Sequence, residues 1–166
     1  DPGGKLPVTV ARNVGQLPMF YDYKPSAHCG YLFGEATPLY PFGYGLSYTS
    51  FDIGAPVLSS ATIKAGDGVS VRVPVTNTGK IAGDEVVQVY LRDDVSSVTR
   101  PVKELAGFER VTLQPGETKQ VTLAIRPESL ALWNRDMKRV VEPGTFTIMA
   151  GDNSQDVKST TLTVTP

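Results

Sequence analysis

Residues 69–77 read VSVRVPVTN, and residues 84–93, after a short turn, read DEVVQVYLRD. In the first stretch Val69, Val71, Val73 and Val75 share one parity, and Ser70, Arg72, Pro74 and Thr76 the other. In the second, Val87, Val89 and Leu91 alternate with Val86, Gln88, Tyr90 and Arg92. Successive side chains of a strand point to opposite faces, so this period predicts strands with one packed face and one wet face. Pro74 has no N–H to give to a ladder, so its strand is expected to be an edge there or to carry a bulge.

Working outward, the same grammar returns in TKQVTLAIRP (118–127), TFTIMAG (145–151) and TTLTVTP (160–166). These place Val121, Leu123, Ile125, Phe146, Ile148, Leu162 and Val164 inward. Turn chemistry separates the runs: NTGKIAG at 77–83, QPGET at 114–118, EPGT at 142–145 and GDNSQD at 151–156. Short alternating strands joined by Gly, Pro, Asn and Asp predict an all-β, immunoglobulin- or fibronectin-type antiparallel sandwich over residues 51–166. PESLALW (127–133) is expected to make one helical turn, with Leu130 and Trp133 at i and i+3. The expected core includes Val73, Val89, Leu91, Val121, Leu123, Phe146 and Trp133.

Residues 1–50 are written differently. Prolines at 2, 7, 18, 25, 38 and 41 and many glycines and aromatics leave no sustained period, apart from KLPVTV (5–10) as one short strand. The segment PLYPFGYGLSYTSF (38–51) is too aromatic for a free linker and too rich in Gly and Pro for a helix. Each ring carries on the order of 150–250 Å² of surface, so the aromatics must pack on something. Residues 1–37 are expected to be loosely held, with 38–50 lying partly against the sandwich.

Composition limits the function. The chain has 166 residues, 16 basic and 17 acidic, and a net charge of −1. That balance steers it toward neither nucleic acid nor an anionic membrane. No apolar run reaches the roughly 18 residues that a membrane span requires. The chain opens DPGG with no initiator Met, so the lack of a targeting segment carries no weight. His28 and Cys29 are the only residues of their types; they are expected to be ordinary loop residues, with no metal site and no Ser-His-Asp chemistry. The G-x-G spacing of FGYGLSY has neither a third glycine nor a following helix, so no dinucleotide cofactor is expected. Two carboxylates about 5–9.5 Å apart would suffice to cleave a glycoside. The candidate pairs, Asp84 with Glu85 and Asp93 with Asp94, are neighbours on strands and point to opposite faces; they are expected to be solvated turn charges. No catalytic, cofactor-binding or metal-binding residue is therefore assigned. Trp133, the only Trp, is expected to plug the core rather than to serve as a sugar platform.

Two sets of motifs carry a resemblance. GKLPVTVARNVGQLPMFY (4–21) with PLYPFGYGLSYTSF (38–51) resembles the end of the second catalytic-core domain of glycoside hydrolase family 3, the β-glucosidase family. VTNTGKIAGDEVVQVYL (75–91), RPVKELAGFERVTLQPGETKQVTLAI (100–125), LALWN (130–134) and VVEPGTFTIMAG (140–151) resemble that family's C-terminal fibronectin type III-like domain, most closely in bacterial periplasmic β-glucosidases. The resemblance implies that residues 1–50 are the end of the upstream core plus a linker and that 51–166 are the accessory domain. It implies a parent enzyme that hydrolyses terminal β-D-glucosyl residues with retention, in the periplasm or outside the cell. The family's nucleophile, an Asp, and its acid/base, a Glu, belong to the upstream domains and match no position here, so the chain alone is expected to be inactive. The implied partners are those domains, a β-glucoside or oligosaccharide substrate, and a second copy in a homodimer. Two readings from other classes are a stand-alone carbohydrate-binding module and an immunoglobulin-like adhesion domain.

Overall fold

A computed structural model describes residues 1–26 and 34–166. The first strand, β1, is Phe51–Ile53; β2 is Val57–Leu58, β3 Thr62–Lys64, β4 Val69–Asn77 and β5 Gly83–Asp93. Then come β6 (Glu104–Leu113), β7 (Thr118–Ile125), a single helical turn α1 (Pro127–Leu130), β8 (Leu132–Trp133) and β9 (Arg139–Val140). Two long strands, β10 (Gly144–Gly151) and β11 (Val157–Thr165), finish the chain. One sheet has β4 at its centre, with β7 on one side and β1 and β2 end to end on the other. The second runs β3-β11-β10-β5-β6, and β8 and β9 form a separate hairpin. The sandwich is not wholly antiparallel, because β3 lies parallel to β11.

The core is where the alternation puts it. Val71, Val73 and Val75 of β4 face Val87, Val89 and Leu91 of β5, with Phe146, Ile148, Leu162 and Val164 completing the packed layer. All of these are almost fully buried. Side chains from two inner faces interlock in this way in stacked sheets. Pro74 sits on a central strand, not an edge. Its carbonyl accepts from Gly54 N–H at 2.8 Å, at the place where the chain leaves β1 and before it rejoins as β2. The missing donor therefore faces a break in the neighbouring strand, where no ladder bond is lost. Gly54 allows the approach, since a Cβ there would lie 2.5 Å from Pro74 Cγ.

Two core expectations are corrected. Leu123 is only partly buried, packed against the core between the open edges of β6 and β7. Trp133 is 61% exposed. The helical period that would turn it inward ends at Leu130, because Ala131 is extended (φ −75°, ψ 147°). Strand alternation takes over, so Leu132 fills the core and Trp133 points out beside Arg139, its cross-strand partner. KLPVTV forms no strand either; Val10 makes one isolated bridge to Tyr40.

Candidate functional site

Parity on β5 places Gln88 and Tyr90 on the outer face of the sandwich, yet both are buried, Tyr90 completely. Their cover is the segment before β1. Tyr21 meets Tyr90 edge to face with ring centres 5.9 Å apart and stacks on Phe42 at 4.1 Å. Both geometries suit the quadrupoles of aromatic rings. Tyr90 O–H donates to Gln88, whose amide donates to the Gly43 carbonyl at 3.0 Å. Gly43 has φ +80°, and a Cβ there would fall 2.0 Å from Gln88 Oε1, so only glycine fits this latch. Burial pushes the Tyr21 and Tyr90 hydroxyls upward, which leaves both as neutral hydrogen-bonding groups.

The first residues are held to the same face and, through Lys5, to the end of the core-facing row. Leu6 N–H donates to Tyr44 O, and Gly43 N–H to Leu6 O, each at 2.8 Å. Lys5 pairs with Glu85 at 2.7 Å, and the Asp1 carboxylate accepts from Tyr48 N–H and Asp84 N–H. Gln16, 4% exposed, receives Arg12 N–H and donates to Glu35 O. Val102 N–H reaches Tyr23 O, and Leu105 N–H reaches the Tyr21 hydroxyl. The expectation that residues 1–37 hang loosely is thus corrected for the described residues. Apart from one 3-10 turn at Val14–Gln16 and the Val10–Tyr40 bridge they form an irregular layer, bonded mainly along the outer face of β5 and the start of β6.

This layer is not apolar inward only. Val8, Val14, Leu17, Phe20, Leu39 and Tyr40 are all exposed. Beside Phe20 a cavity of about 240 Å³ is walled by Met19, Tyr21 and Tyr23, with Lys103 and Thr9 on its lining. The Thr9 hydroxyl is buried there without a hydrogen-bond partner among the described residues. Lys103 donates to Ser154 O, and desolvation, then the nearby Arg92, lowers its ammonium below the usual range.

The carboxylate pairs diverge as strand geometry requires, but they are not simple solvated charges. Asp84 accepts from Thr112 and Arg110 on the outer face, and these bonds hold it below the usual carboxylate range. Glu85 is buried at the other face in its ion pair with Lys5, on the wall of a cleft of about 600 Å³. Asp94 accepts from Thr147 at 2.9 Å. Asp93 is 9% exposed at the end of the core-facing row, and burial pushes its carboxyl up to about 6, against the pull of Arg100. His28 and Cys29 lie outside the described residues. Among the described residues no group of His, Cys, Asp and Glu is placed to hold a metal ion.

The two packed sheets agree with a match of residues 85–154 to the fibronectin type III-like domain model, and the sandwich has that fold. The whole chain, the preceding layer included, is similar to one segment of bacterial glycosidases. It is 51% identical over 99% of its length to a β-xylosidase of Formosa agariphila, of which that match covers 24%. It is 46% identical over 95% of its length to a periplasmic β-glucosidase of Salmonella typhimurium, covering 22% of it. A β-glucosidase structure from Erythrobacter marinus superposes with TM-score 0.95 at 50% identity, over 99% of this chain and 22% of that one. One from Listeria innocua in complex with glucose gives 0.92 at 36% identity, over 99% of this chain and 24% of that one. The chain thus spans between a fifth and a quarter of the length of the relatives it matches.

Proposed function

We propose that this chain is the non-catalytic C-terminal part of a glycoside hydrolase family 3 enzyme, and that it braces the catalytic core through residues 1–50. One observation carries the reading: nearly the whole chain, irregular layer included, corresponds to a single segment of much longer β-glucosidases and β-xylosidases. The exposed apolar residues of that layer support it, because a large uncovered apolar surface marks an interaction site. Residues 1–50 are read as the end of the upstream core with its linker, and 51–166 as the accessory domain. The upstream core would be the partner, and the parent enzyme would remove terminal β-linked glucose or xylose with retention, in the periplasm or outside the cell.

The carboxylates agree with a bracing role. Glu85 is occupied by Lys5, Asp84 by Arg110 and Thr112, and Asp93 and Asp94 point apart. The test is to assay the purified 166-residue chain with aryl β-glucosides and β-xylosides, then to add the separately produced upstream region of its parent. The chain alone should be inactive, and the mixture should melt at a higher temperature than the upstream region alone. Turnover by the chain that vanishes in Asp93→Asn, or a mixture with no thermal shift, would overturn the reading.

A further inference from the structure

Trp133 is the only Trp of the chain, and it stands 61% exposed on the β8–β9 hairpin. The hairpin is closed by its own hydrogen bonds. Asn134 N–H donates to Lys138 O, and Met137 N–H donates to Asn134 O. The Asn134 side chain accepts from Asp136 N–H and Lys138 N–H, each at 3.0 Å. These bonds hold Met137 at φ +57° in the left-handed region. The ring is therefore presented on a fixed turn, so a ligand pays little to order it.

Beside the ring lies a concavity of about 310 Å³, at the low end of the roughly 300–1,000 Å³ typical of ligand sites. Its rim carries Arg100, Arg139, Glu104 and Glu128, two cations and two anions. Arg100 is locked by Glu104 and by the Ala131 carbonyl at 2.9 Å. Arg139 donates to the Glu128 carbonyl at 2.9 Å, and among the described residues the Glu128 carboxylate has no ion pair. The rim is neutral in sum, which favours neither a phosphorylated nor an acidic ligand. It does offer donors and acceptors around an apolar ring face.

A pyranose matches that pattern. Its axial C–H groups form an apolar, slightly positive face that suits the negative face of an indole, while its equatorial hydroxyls reach the rim. We propose that Trp133, with Arg139 and Glu128, forms a surface site for a short neutral β-linked oligosaccharide of glucose or xylose. The choice of these sugars rests on the proposed glycosidase parentage; the site itself does not. A single ring gives weak binding, in the range of about 1 mM.

Because Trp133 is the sole indole, its emission reports the site directly. The 166-residue chain is titrated with cellotriose and xylotriose up to about 10 mM, tenfold above that constant. A saturable change in Trp133 emission is expected, at least fivefold weaker in Arg139→Ala, and calorimetry should show no saturation in Trp133→Ala. Both side chains are exposed, so neither variant should alter the melting temperature. No saturable change, or binding that persists in both variants, overturns the proposal. So does an emission change that appears only when the parent's upstream region is added, which would make the ring a domain contact. A failed titration leaves the bracing role untouched, since that is read by activity and thermal shift.

Discussion

Asp93 ends the inward-facing row Glu85, Val87, Val89, Leu91, and its carboxyl is buried with no ion pair among the described residues. Desolvation pushes it up to about 6, with Glu142 and Asp94 adding to the rise and Arg100 opposing it. In the unfolded chain the same group titrates in the ordinary carboxylate range, near 4. Between those values the native state holds a proton that the unfolded state has released, so this group's contribution to stability falls as pH rises from about 4 to about 6. Asp84, Glu117 and Glu142 are shifted the other way by hydrogen bonds, so they stabilise above the carboxylate range and lose that contribution on acidification. Asp93→Asn separates the two effects. Its stability gain over the parent, read from urea midpoints, should be larger at pH 7.5 than at pH 4.5. An equal difference at both pH values would show that Asp93 is not buried as described.

At the scale of elements, the outer face of β5 controls how residues 1–50 attach. Tyr21 contributes a stack on Phe42, an edge contact to Tyr90 and a hydrogen bond from Leu105 N–H. Tyr21→Ala should cost about 1.5–3 kcal/mol in chemical denaturation, the value of one well-covered ring. Tyr21→Phe keeps the ring and should cost about 1 kcal/mol, the value of one hydrogen bond. If Tyr21→Ala costs no more than Tyr21→Phe, ring packing does not hold the layer.

That attachment also marks the limit of what the sequence discloses. The inward valines of β4 and β5 were legible because alternation is a local signal, repeated four times in VSVRVPVTN. Gln88 and Tyr90 alternate in the same way but read as wet, because their cover, Gly43 and Tyr21, lies 45 and 69 residues earlier. No local period reports such a distant contact. Trp133 failed for the opposite reason. SLALW fits helical spacing, and only the extended backbone at Ala131, one residue past the turn, transfers the buried position to Leu132. The density of rings in residues 38–51 supplies what periodicity does not, that these aromatics must pack on something. It could not say that one side of the layer already has its partner within the chain.

For the whole molecule, the layer of residues 1–50 has two sides with different fates. One is closed against the sandwich by Tyr21, Phe42 and Gln88; the other leaves Val8, Val14, Leu17, Phe20 and Leu39 in water. An exposed apolar surface of this kind tends to seek a partner. The 166-residue chain should therefore self-associate as its concentration rises, and the upstream region of the parent should compete with that association. A double variant, Val14→Asp with Phe20→Asp, places charge on two exposed positions that no described core contact needs. It should sediment as a monomer at concentrations where the parent chain does not, with an unchanged melting temperature, and it should bind the upstream region at least tenfold more weakly. A parent chain that remains monomeric throughout, together with a double variant that binds the upstream region as tightly as the original, would mean that the bracing contact lies elsewhere. The strand edges of β6 and β7, or the cleft between Lys5 and Lys158, would then be the surfaces to vary next.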